Sequence, residues 1–445
     1  MQVRGIRTNG RRRWIGLLLL AAGILLAPGA ILRAQVPPGP EADPTEGPWS
    51  VDDVLLAESA DQFRISPDGS HVVWVRSRMS ADEGRRVSNL WITRLEDGES
   101  WPLTRGTDRD YGARWSPNGE MVVFQSSRST EEGDEEGDEG QLWALRLDGG
   151  EPWPLTTGVR DLRAYAFRGG SSDTLILAAR EQRSRYEEGL EDAGDDTRAV
   201  EDTLTELPVR LWALDVESGE TSRITVNRHW IEDLAVSPDG QTAVVRAGRD
   251  LSYAYDGKRP PRTWIVDLST GERTEILPVD SIVPRDLDWA RDGRGVYFSY
   301  RVSSHPRYET ASVGRVGFWN RRTGEMRRVD LGWSRGLAGG LEVVPGGFLA
   351  LLADGVRFRP ALYRNSEDGW TRVLLSGEHV PQIFEWSASQ GGDRVAYVTS
   401  SGDRPTQPYA VRLRDRTLID PIQLGELNPE FAEKPKPRAE VVRWV

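Results

Sequence analysis

Few residues in this sequence combine the type and spacing that catalysis requires. Gly-x-Ser-x-Gly, the nucleophile motif of α/β-hydrolases, occurs once, at residues 332–336, but it lies between two strand-rich stretches and not at the strand-to-helix turn that its chemistry requires. The phosphate-binding Gly-x-x-x-x-Gly-Lys and the zinc-binding His-Glu-x-x-His are absent. Its four histidines are spread along the chain, at His71, His229, His305 and His379. From these positions we predict no catalytic residues, no cofactor and no metal site in this chain.

Composition excludes several further classes of protein. The 445 residues include no cysteine, so disulfides, thiol catalysis and thiolate metal sites are ruled out. The net charge of −12 argues against a nucleic-acid partner, which would need clustered Lys and Arg. Residues 131–140 carry seven acidic and no basic residues, and residues 181–206 carry ten acidic and three basic ones, so the rest of the chain is close to neutral. We interpret both segments as solvated surface insertions.

The N-terminus has the pattern of an export signal. Five arginines precede an uncharged, mostly apolar run over residues 14–32. Residues 1–34 are therefore predicted to be a signal peptide, with retention as a membrane anchor as the alternative, and residues 35–49 a linker. The prediction is an exported protein, periplasmic or extracellular, that contacts the inner membrane only if the signal is kept.

A turn motif recurs along the rest of the chain and indicates the elements that would position any site. Seven copies centre near residues 66, 116, 169, 237, 290, 344 and 387, about 43 to 54 residues apart except where the insertion intervenes. Each copy contains four short apolar runs of strand length. Such a period predicts an all-β fold, a seven-bladed β-propeller of four-stranded antiparallel blades over residues 50–426.

The physical basis of the repeat is turn chemistry. In the second copy, Pro117 presets φ, Asn118 occupies the next turn position, and Gly119 supplies the positive φ that restarts a strand. Tryptophans recur at equivalent places and are predicted to pack between blades. Because each copy holds its four strands in order, no strand exchange between the first and last blades is expected, and packing alone would close the ring.

The repeats are similar to the TolB-like, WD40-like propeller repeat, as in Ser66-Pro67-Asp68-Gly69. Residues 51–69 also resemble the opening of the non-catalytic propeller in serine peptidases of the prolyl oligopeptidase family, of the dipeptidyl or acylaminoacyl peptidase type. Residues 427–444 resemble the linker that leads from that propeller into the catalytic α/β-hydrolase domain. The resemblance covers residues 50–445.

This resemblance implies a substrate-gating propeller that admits peptides through its channel. In that family the catalytic serine, aspartate and histidine lie in the hydrolase domain, so no catalytic residue carries over. Residues 427–445 are then expected to be a linker toward a covalently attached hydrolase domain that this chain lacks, and the chain a fragment. The resemblance implies a serine peptidase for the full-length protein and leaves the activity of this chain undecided.

One acidic pair acquires a role only through the resemblance. In dipeptidyl peptidase IV-like relatives, two glutamates on a propeller insertion bind the free amino terminus of the substrate. Glu187 and Glu188 lie in the insertion of the third copy, which makes them candidate substrate-binding residues because paired carboxylates suit an ammonium group. The alternative reading is a solvated acidic loop or helix.

A different function class also fits the repeats. A stand-alone periplasmic propeller of the TolB-like type would bind a protein partner and perform no chemistry. A stable complex between the mature chain and another envelope protein would favour this function over that of a peptidase propeller.

Overall fold

The computed structural model describes residues 49–129, 140–181, 185, 189, 193–194, 207–248, 251, 260–277, 282–305, 307, 311–366, 369–402, 404–436 and 440–442. These residues belong to the compact unit Thr45–Val445. The predicted signal segment and nearly all of the predicted linker lie outside them, as do Glu187 and Glu188.

The first element is a short helix, α1 (Val51–Leu55). The side chain of Ser50 accepts the backbone N–H of Asp53, and the Asp53 carboxylate accepts the backbone N–H of Ser50, which is a complete capping box. The sequence predicts this cap, and the structure confirms it. Two 3-10 helices span Val380–Gln382 and Pro429–Ala432. Within the described ranges, no helix is long and apolar enough to cross a membrane.

Almost all other regular structure is antiparallel β-sheet. The first two sheets comprise β1 (Ser59–Ile65), β2 (His71–Ser80), β3 (Arg85–Arg94) and β4 (Ser100–Pro102), then β5 (Asp110–Trp115), β6 (Met121–Ser126), β7 (Gln141–Arg146) and β8 (Trp153–Pro154). The next two comprise β9 (Ala164–Phe167), β10 (Thr174–Arg180), β11 (Val209–Asp215) and β12 (Thr221–Arg223), then β13 (Ile231–Val236), β14 (Thr242–Ala247), β15 (Arg262–Asp267) and β16 (Arg273–Glu275).

The remaining strands continue this order. They are β17 (Arg285–Trp289), β18 (Gly295–Ser303), β19 (Ser312–Asn320) and β20 (Met326–Val329), then β21 (Leu337–Val344), β22 (Gly347–Asp354), β23 (Arg357–Ser366) and β24 (Gly369–Leu374), then β25 (Ile383–Ala388), β26 (Arg394–Ser401), β27 (Arg404–Arg414) and β28 (Thr417–Gln423). The strands from β17 to β24 form one eight-stranded sheet, because Gly314 pairs with Leu337. Consecutive strands pair within each set of four, so the predicted four-stranded antiparallel sheets are confirmed.

The repeated turns are held by one hydrogen-bond device. The Ser66 hydroxyl donates to Asp68 Oδ1 at 2.6 Å and accepts the backbone N–H of His71 at 2.9 Å. Ser116 and Ser237 make the same pair of bonds in their own turns. A serine side chain therefore ties both ends of the turn between the first two strands of each of these sets.

The core lies between sets of strands. Seven hydrophobic clusters of the described residues each join two consecutive sets, and one of them joins the last set to the first. That cluster packs Phe63 and Trp74 of the first set against Val398 and Leu424 of the last. Full burial of each such side chain stabilises the fold by about 1.5–3 kcal/mol, so packing joins the two ends of the chain.

The tryptophans occupy the predicted interfaces with differing burial. Trp289 is 1% exposed and Trp319 is 7% exposed, whereas Trp91 and Trp143 are only half-buried. The better-buried rings sit deep between sets, and the others pack at the edges of the clusters. The tryptophans therefore pack between sets as predicted, although the outer rings stay partly accessible.

Hydrogen bonds between the two terminal segments add to this packing. Asn428 Oδ1 accepts the backbone N–H of Glu58 at 2.7 Å, and Asn428 Nδ2 donates to the Glu58 carbonyl at 3.1 Å. Lys434 Nζ lies 3.0 Å from Asp53 Oδ2. We call Asp53, Glu58, Asn428 and Lys434 the terminal clasp. The expectation that packing alone joins first and last sets was therefore incomplete.

Candidate functional site

The first strands of the sets follow one another in a closed circle. Strand β1 contacts β25 and β5, β13 contacts β9 and β17, and β21 contacts β17 and β25. The remaining link is the Tyr165 hydroxyl, which donates to the Gly112 carbonyl at 2.5 Å and so joins β9 to β5. Charged side chains on four of these strands interact with one another across the circle, whose centre we call the axis.

Two tryptophans fix the positions of neighbouring first strands. Trp115 Nε1 donates to the carbonyl of Arg64 at 2.8 Å, and Trp289 Nε1 donates to the carbonyl of Ala235 at 3.0 Å. Each bond crosses from one set to the preceding one. Because a buried indole N–H needs an acceptor, packing and register are coupled at these two junctions.

Four charged side chains of the first strands form what we call the axial cluster: Arg64 on β1, Arg114 on β5, Asp288 on β17 and Glu342 on β21. All four are partly buried. Asp288 lies 3.6 Å from Arg291, and Glu342 accepts the backbone N–H of Ala388 at 3.1 Å. The cluster therefore has a cationic half on the first two sets and an anionic half on the fifth and sixth.

Burial perturbs the protonation of these groups. It lowers the pKa of Arg64 to about 10, and the neighbouring Arg114 charge acts in the same direction. Burial raises the pKa of both Asp288 and Glu342, and the Arg64 charge opposes that rise in each. The two halves thus interact across the axis, in an environment that penalises isolated charge.

A second group of polar residues lies where the first strands bulge. Pairing shifts register at Gln62, Asp286 and Glu385, and all three adopt left-handed backbone conformations with φ of 54°, 49° and 47°. Gln62 Oε1 accepts the Gly112 N–H at 2.6 Å, and Asp286 Oδ2 accepts the Ser299 hydroxyl at 2.5 Å. Such conformations cost about 1–3 kcal/mol each and cluster at functional sites.

The bulges bring acidic side chains toward one another. Burial raises the pKa of Asp61, and the nearby Glu385 charge raises it further. Asp233 and Asp286 line a cavity of about 480 Å3 with Arg246 and Arg285. The pKa of Asp233 is likewise raised, chiefly by burial. The lining of this cavity thus combines acidic and basic side chains.

The histidines noted in the sequence remain apart from one another in the structure. His71 Nδ1 contacts the Ser70 hydroxyl, His229 faces Arg273, and His379 Nδ1 contacts the Tyr397 hydroxyl at 2.8 Å. In the part of the chain that the structure describes, no group of three or more His, Cys, Asp or Glu side chains could hold a metal ion.

Sequence reasoning missed the axial cluster. Arg64 and Arg114 stand at the same place in their repeats, two residues before Ser66 and Ser116. That position precedes the repeated turn and carries unlike residues in other copies, for example Asp288, which is two residues before Ala290. Variation at a fixed place in a repeat is the signal that could have found these residues, because packing positions keep their residue type.

Comparison with known proteins gives limited sequence similarity. No protein-family model matches the chain. The uncharacterized peptidase YuxL of Bacillus subtilis (strain 168) is 26% identical over 232 residues, which cover 49% of this chain and 33% of YuxL. The match therefore spans about a third of that relative's length.

Solved structures share the fold. Pyrococcus horikoshii acylaminoacyl peptidase aligns with a TM-score of 0.59 at 14% identity, over 87% of this chain and 55% of that one. The β-propeller domain of the Trilobed protease from Pyrococcus furiosus, described as having an open velcro topology, aligns at 0.55 and 14% identity, over 84% and 97% of the chains. The chain thus spans about half of the solved acylaminoacyl peptidase and nearly all of the isolated propeller domain.

The same fold also serves other functions. Oligogalacturonate lyase in complex with manganese aligns at a TM-score of 0.56 and 14% identity, over 80% of this chain and 91% of that one. At such identities the structural likeness shows the fold alone. Taken with the sequence similarity to YuxL, the comparisons show that this chain has a β-propeller fold of the kind that peptidases carry.

Proposed function

We propose that this chain is the non-catalytic, seven-bladed propeller of an exported serine-type peptidase, and that it admits peptides to the catalytic site through its central channel. The observation that carries the proposal is the axial cluster, the charged side chains that four of the first strands contribute. An axis that served packing alone would be filled by apolar side chains. Here Arg64, Asp288 and Glu342 stay partly accessible at the axis.

Peptide selection follows from the geometry of a ring of sheets. An extended peptide presents a narrow backbone and charged ends, whereas a folded protein presents a broad surface. The acidic bulge residues Asp286 and Glu385 would attract the ammonium group of a peptide. Glu187 and Glu188, the proposed binding residues for the amino terminus, would attract the same group. Hydrolysis itself would belong to an α/β-hydrolase domain.

Peptide binding tests this proposal directly. Labelled unstructured peptides of about ten residues should bind the purified chain in fluorescence anisotropy, and a labelled folded protein of similar charge should not. Gly340→Trp should weaken peptide binding at least about fivefold, because an indole would project beside Asp286. An added Cβ at Gly340 meets nothing closer than 4.0 Å, so the change fits the backbone.

Val356→Trp is the matched control, because Val356 is 76% exposed on the hairpin between β22 and β23. It adds the same indole away from the axis and should leave binding unchanged. Equal binding of peptide and folded protein, or equal loss in both tryptophan variants, would overturn the gating proposal.

A further inference from the structure

We propose that Arg64 and Arg114 form a carboxylate-binding site at the axis, which receives the terminal or side-chain carboxylate of a peptide. The inference deepens the proposed function and rests on it for the identity of the ligand as a peptide. The anion site itself stands on the contacts of the two arginines.

The fold does not require arginine at these positions. Arg64 pairs with Val73 and Arg114 pairs with Val123, at the last but one position of β1 and β5. The corresponding residues of β9 and β13 are Ala166 and Ala235. A side chain as small as alanine therefore satisfies the same strand pairing, and the two arginines need another explanation.

Within the described part of the chain, neither guanidinium forms a direct ion pair. Among the described residues, no carboxylate oxygen lies within 4.0 Å of Arg64 or Arg114. Arg64 Nη1 donates only to the carbonyl of its neighbour Phe63, at 2.8 Å. Two other partly buried arginines are paired: Arg128, just after β6, lies 2.7 Å from Asp110, and Arg246 on β14 lies 3.2 Å from Glu232.

The two arginines stand at equivalent positions of β1 and β5, which contact each other, and Trp115, the neighbour of Arg114, donates to the Arg64 carbonyl at 2.8 Å. The Arg114 charge helps to depress the pKa of Arg64, which means that holding both cations in place costs free energy. A bound carboxylate would remove that cost. Two planar guanidinium groups offer paired N–H donors that match the two oxygens of a carboxylate.

The carboxylates in the opposite half of the axial cluster attract Arg64 but do not pair with it directly. Asp288 is held by Arg291, and Glu342 is held by the Ala388 N–H and the Ser387 hydroxyl. These anions repel a ligand carboxylate, which is therefore expected to bind beside the two arginines. They also disfavour a phosphate dianion more strongly than a single carboxylate, because the repulsion grows with charge.

The arginine side is rigid enough to act as a receptor. Trp115 Nε1 holds the Arg64 carbonyl, and the Tyr165 hydroxyl holds the Gly112 carbonyl two residues before Arg114. Both backbones are thus fixed by donors from the next set of strands. Binding therefore requires little reordering of the main chain, which favours affinity.

The test compares two peptides that differ in one group. Each carries an N-terminal fluorescein, so the amino group is blocked, and ends either in a free carboxylate or in an amide. The free acid should bind the chain about tenfold more tightly than the amide. Arg64→Met and Arg114→Met should each reduce this ratio toward one, and Arg64→Lys should keep part of it. Arg357→Met, at an exposed arginine, is the control.

The outcomes separate the site from the proposed function. Equal binding of acid and amide by the unaltered chain would overturn the carboxylate site while leaving peptide gating intact. If neither peptide binds but acetate shifts the arginine Nε–H resonances, and those shifts disappear in the methionine variants, the site stands and the gating proposal fails. Stronger competition by inorganic phosphate than by acetate would instead make this a phosphate site. Should a methionine variant not fold, the acid-to-amide ratio and its suppression by acetate in the unaltered chain decide the matter.

Discussion

The side-chain amide of Asn428 bonds both the N–H and the C=O of Glu58, a residue 370 positions earlier in the chain. One planar amide thereby extends the backbone pairing across the junction of the first and last sets of strands. Asn428 also has a left-handed backbone with φ of 50°, a conformation that asparagine tolerates well. This residue is the clearest hydrogen-bonded link between the two ends of the chain.

Asn428→Ala should lower the free energy of unfolding by about 2–4 kcal/mol, because it leaves two Glu58 backbone groups unpaired and strains the left-handed residue. Asn428→Gly removes the same bonds but accepts the conformation, so it should be less harmful by about 1 kcal/mol. Urea denaturation measures both. A glycine variant as stable as the unaltered chain would show that the amide bonds contribute nothing.

The Asp53–Lys434 pair predicts a dependence of stability on acid. The Ser50 backbone N–H, with help from Lys434, holds the pKa of Asp53 below its ordinary value of 3.8. A carboxyl with a depressed pKa in the fold stabilises it above pH 3.8, and this contribution disappears as the pH falls through the folded-state value. Urea midpoints should therefore fall less steeply below pH 4 in Asp53→Asn than in the unaltered chain. An unchanged slope would contradict the assignment, and Glu433→Gln, at an exposed residue, should leave the slope as it is.

Burial of His229 leads us to expect a second pH range in which the stability of the fold changes. His229 is 5% exposed, and burial, reinforced by the Arg273 charge, lowers its pKa from 6.5 to about 4. The unfolded chain therefore binds a proton between pH 6.5 and 4 that the folded chain does not, and stability should fall by up to about 3 kcal/mol across this window as the pH is lowered.

His229→Gln should flatten the change, as followed by denaturation at half-unit pH steps. His305→Gln, at an exposed histidine, should retain it. A slope that survives loss of His229 would assign the effect to other groups.

The fifth turn lacks the serine that ties the first, second and fourth turns. Ala290 occupies the place of Ser66 and Ser237, although Asp292 is present two residues later. Ala290→Ser should restore bonds to the Gly295 N–H and to Asp292, and should raise the free energy of unfolding by about 1 kcal/mol. Ser237→Ala is the reciprocal change and should lower it by about 1–3 kcal/mol, since it leaves the Thr242 N–H without its acceptor. Thermal or urea unfolding should show that the first change stabilises the fold and the second destabilises it. If the Ala290→Ser variant is less stable than the unaltered chain, the hydrophobic cluster around Ala290 cannot accommodate a hydroxyl.

Local residue types predicted much of the fold because the relevant interactions are short in sequence. The turn formed by Ser66, Asp68 and His71 spans only six residues, so it can be predicted from the sequence. The antiparallel order of strands follows from such turns. Neither the pairing of Gly314 with Leu337 nor the clasp at Asn428 has a comparable local signal.

The candidate site was less accessible to sequence reasoning. Glu187 and Glu188 attracted interest because they are adjacent, yet they lie outside the described residues. Arg64 and Glu342 are 278 residues apart, and no spacing rule connects them. Their charges interact because the first strands of successive sets contact one another in space.

The sequence by itself determined the repeating unit, since turn geometry and the alternation of apolar residues are set by neighbours a few positions away. Only the tertiary structure decided which side of the axis is cationic, which arginines stay unpaired, and how the two ends of the chain are joined. The physical reason is that electrostatic and packing partners are chosen by distance in space, and closing the circle brings Arg64, Asp288 and Glu342 together from opposite ends of the chain.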